Sequence, residues 1–133
     1  MYYFDANVFI FPQIYDLNVK IAKKAKEYLF ELTEGNIDGC TATLTWDEIV
    51  HIVRKRAGLK ESSVAGKRFL NFPNLRIINV DNETIGEAQK ITEKYGLKPR
   101  DAIHAACAIK FCNGKMLSND SDFDVVEKIK RES

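Results

Sequence analysis

The period of the hydrophobic positions changes several times along the chain, dividing it into alternating strands and helices. Tyr2–Phe4 is a short apolar, β-prone run that stops at Asp5. It reads as a buried strand ending in a carboxylate; the polar Asp5-Ala6-Asn7 follows, then Val8–Phe11 and Pro12. From Asn18 to Glu34, Ile21, Ala22, Ala25, Tyr28, Leu29 and Leu32 fall on one stripe with Lys and Glu opposite. This predicts an amphipathic helix closed by Gly35-Asn36. Cys40–Leu44 is a second β-prone run. Thr45 opens a helix with Trp46, Ile49, Val50, Val53 and Ala57 on one face, and Thr45-Trp46-Asp47-Glu48 has the form of a capping box. Gly58 separates it from a shorter helix over Glu61–Phe72, stopped by Pro73.

Leu75–Val80 predicts a third strand, and Asp81 caps a helix whose inner face is Ile85, Ala88, Ile91 and Tyr95. Gly96-Leu97-Lys98 leads to Pro99, where a missing N–H is harmless at a first helical position. Ala102, Ala105, Ala106 and Ile109 continue at helical spacing as far as Asn113-Gly114, almost without charge, so this is a buried central helix. Lys115–Leu117 is a fourth strand. It runs into Ser118-Asn119-Asp120-Ser121-Asp122-Phe123-Asp124 and a short last helix carrying Val125, Val126 and Ile129.

Strands alternating with helices predict an α/β fold with a parallel sheet covered on both faces. Right-handed crossovers then put ligands beyond the carboxyl ends of the strands. The length, 133 residues, suits one domain over 1–133 with a sizeable core. No apolar run reaches the roughly 18 residues of a membrane span. The opening MYYFDANVFIFP lacks a basic region before its apolar part, which disfavours a signal peptide. Cys40, Cys107 and Cys112 are odd in number and lack zinc-ligand spacing, so they read as reduced thiols of a cytoplasmic protein. The net charge of +1 carries no message about nucleic acid, and any such signal is local. One local bias exists: Arg54, Lys55, Arg56, Lys60, Lys67 and Arg68 stand against the single acid Glu61. This run is either a solvated helical face or a rim that contacts phosphates.

The chemistry lies in the acids. Asp5 and Asp120 directly follow strands, Glu48 lies in the first turn after another, and Asp101 opens the central helix. Each has an ordinary role available: a turn, a cap, a capping box, or a first-turn acid complementing the helix dipole. Together they form a set aimed at one edge of the sheet, with Asp101 arriving there only if Gly96–Pro99 turns back sharply. Four carboxylates in one cleft repel one another, and each rises in pKa unless a cation is present. Oxygen-only donors suit Mg²⁺ or Mn²⁺, which can activate water and offset charge on a phosphodiester. No glycine-rich triphosphate loop occurs.

FDANVFI, TLTWDEIV, LKPRDAIHAACA and LSNDSDF, in this order and spacing, resemble the PIN-domain ribonucleases, and among them the VapC-type toxins of toxin–antitoxin pairs. The resemblance runs from Tyr2 to about Phe123. It implies a three-layer α/β/α sandwich with a central parallel sheet of four or five strands, the closing VVEKIKRES leaving the fifth open. It implies Asp5, Glu48, Asp101 and Asp120 as the acidic site, with Asp5 and Asp101 as core Mg²⁺ or Mn²⁺ ligands. Asn7, Ser118 and Asp122 are then auxiliary, and Ala6 stands where the family more often has a hydroxyl. Metal-dependent endonucleolytic cleavage of RNA, a homodimer and a small antitoxin partner follow from the same resemblance.

Two other readings compete. Glu48/His51 and Asp101/His104 are both acid-x-x-His, the spacing with which four-helix proteins hold two irons, although the strands oppose such a bundle. The second is a PIN-like module with an idle site that binds RNA or protein, which the presence of all four acids opposes. A receiver-type signalling domain lacks its acid pair, since Asp5-Ala6-Asn7 supplies a single acid.

Overall fold

The computed structural model describes residues 1–133. Its elements run β1 (Tyr2–Phe4), α1 (Ala6–Ile14), α2 (Lys20–Thr33), β2 (Gly39–Ala42), α3 (Leu44–Ala57), α4 (Leu59–Leu70), β3 (Leu75–Ile78), α5 (Asn82–Tyr95), α6 (Pro99–Cys112), β4 (Lys115–Leu117), a 3-10 helix (Ser121–Val125) and β5 (Lys130–Glu132). The five strands form one parallel sheet in the order β3-β2-β1-β4-β5. No helix is long and apolar enough to cross a membrane.

Side chains on a strand alternate between faces, and the two central strands show how this builds two cores. Tyr3 and Met116 join α5 and α6 on one face, with Ile91, Ala102, Ala105 and Phe123. Phe4 and Leu117 join α1 to α4 on the other, with Phe9, Leu32, Ile49 and Phe69. The result is the three-layer α/β/α sandwich.

Three segments differ from the sequence expectation. Val8–Phe11, to which the sequence assigns no helix, belong to α1, which continues through Pro12. A continuous apolar run does not distinguish strand from helix. Here Ala6, Val8, Phe9 and Ile10 are all buried, so neither face is marked by polarity. The fifth strand exists: Lys130–Glu132 pairs with Lys115–Leu117. Arg131 secures it, donating to Asp124 Oδ1 and Oδ2 at 2.8 and 2.9 Å and to Ser118 O at 3.1 Å. The last expected helix is a single 3-10 turn ending at Val125, after which the chain extends into this strand.

The turn-back before α6 forms as required. Gly96 closes α5 in the left-handed region at φ 73°, and its N–H bonds Thr92 O. Leu97, 7% exposed, anchors the connection, a burial worth about 1.5–3 kcal/mol. Pro99 then starts α6.

Candidate active site

Asp5 ends β1 and caps α1. Its Oδ1 accepts from the Ala6 N–H at 2.8 Å and its Oδ2 from Ser118 Oγ at 2.7 Å. Ser118, at the end of β4, also accepts from the Asp120 N–H at 3.0 Å and from Asn7 Nδ2 at 3.5 Å. One buried hydroxyl therefore ties together Asp5, Asn7 and the loop that carries Asp120. Asp120 Oδ1 accepts from the Asp122 N–H at 2.9 Å, turning the loop so that Asp101, Asp120 and Asp122 bring carboxylate oxygens within 4.8 Å of one another.

Glu48 is not in a capping box. Helix α3 begins earlier, at Leu44, after an N-cap Thr43 whose side chain makes no capping bond. Thr45 is buried, with its Oγ1 2.6 Å from Thr41 Oγ1, and Thr41 in turn donates to Phe4 O at 2.7 Å. Freed from the helix start, Glu48 Oε1 meets His104 Nε2 at 2.6 Å. Donor atoms of Asp5, Glu48 and His104 lie within 4.8 Å of one another. The four acids expected from the sequence thus enter two adjoining groups, one holding Asp5 and Glu48, the other Asp101 and Asp120.

Electrostatics agree with this crowding. Burial raises the Asp5 carboxyl above its ordinary value, and Glu48 adds to the rise, while His104 and Ser118 oppose it. Asp101 is pushed up to about 6, first by burial and then by the Asp120 and Asp5 charges. At His104 burial opposes the imidazolium, but the Glu48 hydrogen bond and the Asp5, Glu48 and Asp101 carboxylates outweigh it and leave the ring raised.

The donor set fits a hard divalent cation, being mostly carboxylate oxygen. A second sign is Asn7 Oδ1, a buried side-chain oxygen with no protein partner. Asn7 also lines a groove of about 420 Å³ with Ser118, Asn119, Lys20, Lys24 and Tyr28. The basic run singled out in the sequence is elsewhere. Arg54, Lys55, Arg56, Lys60, Lys67 and Arg68 are exposed along the α3–α4 pair, Arg54 lying about 9 Å along the axis from Glu48.

The two acid-x-x-His spacings do not make a di-iron bundle, because the molecule is built on a five-stranded sheet. Glu48 pairs with His104 from another helix, while His51 is exposed. His104, its partner Tyr3, the groove lysines and Arg131 are the residues that sequence reasoning did not place at the site.

Residues 2–129 match the PIN domain. The chain belongs to the PIN-domain family. No curated protein is recognisably similar to this PIN domain in sequence. Among solved structures, the sarcin-ricin loop cleaving toxin VapC20 of Mycobacterium tuberculosis superposes with a TM-score of 0.79 at 14% identity, covering 97% of each chain. A toxin–antitoxin complex from Klebsiella pneumoniae gives 0.69 at 19% identity, and VapBC2 of Rickettsia felis bound to a promoter DNA fragment gives 0.70 at 20%. Each covers 98% of this PIN domain and 96% of the other chain. At these identities the likeness is one of fold.

Proposed function

We propose that this PIN domain is a Mg²⁺- or Mn²⁺-dependent endoribonuclease and the toxin of a toxin–antitoxin pair, acting in the cytoplasm. The observation that carries the reading is the convergence of Asp5, Glu48, Asp101 and Asp120, from four separate segments, on one sheet edge. RNA as substrate is supported by the sarcin-ricin loop cleavage of VapC20, and an antitoxin by the Klebsiella and Rickettsia assemblies.

In this reading Asp5 and Asp101 are the principal cation ligands, and Glu48 and Asp120 complete the set or position the attacking water. When bound, the cation lowers the pKa of water and offsets charge building on the phosphate. Ser118 keeps Asp5 oriented by donating to Oδ2. Asn7 offers Oδ1 beside the same hydroxyl, where it can accept from a ligand water, while its Nδ2 donor can steady the scissile phosphate. Lys20 and Lys24 flank that groove, and Arg54, Lys55, Arg56, Lys60, Lys67 and Arg68 supply sequence-independent phosphate contacts further out. A second groove of about 440 Å³, with Phe9, Leu17, Phe30 and Phe72, supports an apolar protein partner; Phe30 is 58% exposed. A homodimer belongs to the same proposal.

The test is cleavage of a structured RNA panel in Mn²⁺, Mg²⁺ or EDTA, by wild type, Asp5→Asn and Asp101→Asn prepared identically. Discrete cuts by wild type alone, lost in EDTA, are expected. Equal cutting by all three proteins means contamination. RNA binding without cutting in either metal refutes the nuclease and leaves the idle binding module.

A further inference from the structure

We propose that His104 and Tyr3 are positioning residues for Glu48, forming a buried chain that runs from the backbone of β2 to the acidic cleft. The inference rests on the reading of Glu48 as part of the cation-holding set and adds two residues to it.

The chain is continuous. The Ala42 N–H donates to Tyr3 Oη at 3.2 Å, Tyr3 Oη lies 2.5 Å from His104 Nδ1, and His104 Nε2 lies 2.6 Å from Glu48 Oε1. Tyr3, Ala42 and His104 are all 0% exposed, so no water competes for these bonds. The direction of the last bond follows from donor chemistry. An ionised carboxylate only accepts, so Nε2 carries the hydrogen that faces Glu48, whether the ring is neutral or protonated. In the neutral ring Nδ1 is then an acceptor. Tyr3 Oη, which already accepts from Ala42, has its own proton to give to Nδ1.

The chain selects Glu48 over Asp5. Nε2 is 3.9 Å from Asp5 Oδ1, beyond hydrogen-bond length, and Asp5 has its own donors in Ala6 and Ser118. Each inner carboxylate is therefore oriented by a separate donor. Glu48 is the one with a long flexible side chain, and it projects from a helix on the opposite face of the sheet from His104. One of its oxygens is committed to His104, while Oε2 has no protein partner. Fixing one oxygen of a ligating carboxylate in this way presets the other, and loss of such a support commonly lowers metal affinity about 10- to 100-fold.

The test measures Mn²⁺ binding to the apo protein by the loss of free-Mn²⁺ paramagnetic resonance signal, independently of RNA cleavage. His104→Leu should weaken binding about 10- to 100-fold. His104→Gln, whose amide nitrogen can stand where Nε2 stands, should recover most of it. Tyr3→Phe should weaken binding less, since it removes only the bond that fixes the ring. In a Glu48→Ala background, His104→Leu and Tyr3→Phe should have no further effect, a result that a merely structural role does not produce. Folding is checked by thermal unfolding in EDTA, and should His104→Leu fail to fold, Tyr3→Phe carries the cycle with His104→Gln as the conservative control. Undiminished Mn²⁺ binding by folded His104→Leu and Tyr3→Phe, or equal losses with and without Glu48, overturns the inference and leaves the nuclease reading intact. No Mn²⁺ binding by wild type overturns both.

Discussion

Replacing Asp101 with Asn separates the electrostatic cost of the acidic cluster from its structural contribution. Asp101 suits this because no hydrogen bond contributes to its raised pKa; burial and the charges of Asp120 and Asp5 do. The rise from 3.8 to about 6 corresponds to about 3 kcal/mol at about 1.4 kcal/mol per pK unit. Asp101 is partly exposed, and solvent screening reduces this to about 1–2 kcal/mol. The folded state binds the Asp101 proton more tightly than the unfolded chain does. The penalty is therefore absent below pH 3.8, grows as pH rises through about 6, and is complete above it.

Thermal unfolding followed by circular dichroism in EDTA should put Asp101→Asn about 3–8 °C above wild type at pH 8. The gap should close near pH 4. Adding Mg²⁺ to about 100 times its dissociation constant should raise wild type by about 2.7 kcal/mol and reverse the order. An Asp101→Asn protein no more stable than wild type at pH 8 in EDTA would refute the crowding, as would a difference that persists unchanged at pH 4. Asp5→Asn is a poorer probe, because Asp5 accepts from Ala6 and Ser118 and an amide offers only one acceptor oxygen.

Three further outcomes follow from single contacts. Ser118→Ala removes the hydroxyl shared by Asp5, Asn7 and Asp120; calorimetric titration should show metal affinity lowered about 10- to 100-fold, and denaturant unfolding a loss of about 1–3 kcal/mol. Gly114→Ala should give an insoluble or severely destabilised protein by expression and thermal scan, since Gly114 has φ 79° and an added Cβ would lie 1.8 Å from Lys128 O. Cys40, Cys107 and Cys112 are free and buried, and burial pushes the Cys107 thiol up to about 11. A thiol-reactive dye at pH 8 should therefore label the native protein slowly and all three residues in denaturant.

The acids were legible because each stands beside a local signal. Asp5 ends an apolar run and Asp120 lies in the polar stretch just after another, and Asp101 follows the Gly96–Pro99 punctuation, whose left-handed glycine and helix-starting proline both form. Helix α1 was not legible, because its apolar residues are buried all round and leave no period to read. Strand β5 was not legible either: Lys-Arg-Glu has no strand pattern, and the strand depends on Arg131 reaching Asp124 and Ser118. The capping box that offered Glu48 an ordinary role does not form, and local spacing could not show this, for the same kind of reason. Thr45 and Glu48 fit a capping box by spacing, but their partners are Thr41, on the preceding strand, and His104, 56 residues away. A contact of that range leaves no trace in local spacing.

Strand order explains why repelling acids can be held together at all. The chain winds outward from β1 to β2 and β3, then returns to place β4 and β5 on the other side of β1. The connections leaving β1 and β4 therefore diverge, opening a crevice at their carboxyl ends. Asp5 and Ser118 stand at those two ends, Glu48 enters on α3 from one layer, and Asp101 enters on α6 from the other. The residues that position these elements are Tyr3, Phe4, Met116 and Leu117, all at most 1% exposed and none carrying charge. Apolar packing fixes where the carboxylates go, and their repulsion is a cost set against it. Neutralising Asp101 removes part of that cost and leaves the packing in place, so its substitution is expected to stabilise the metal-free protein.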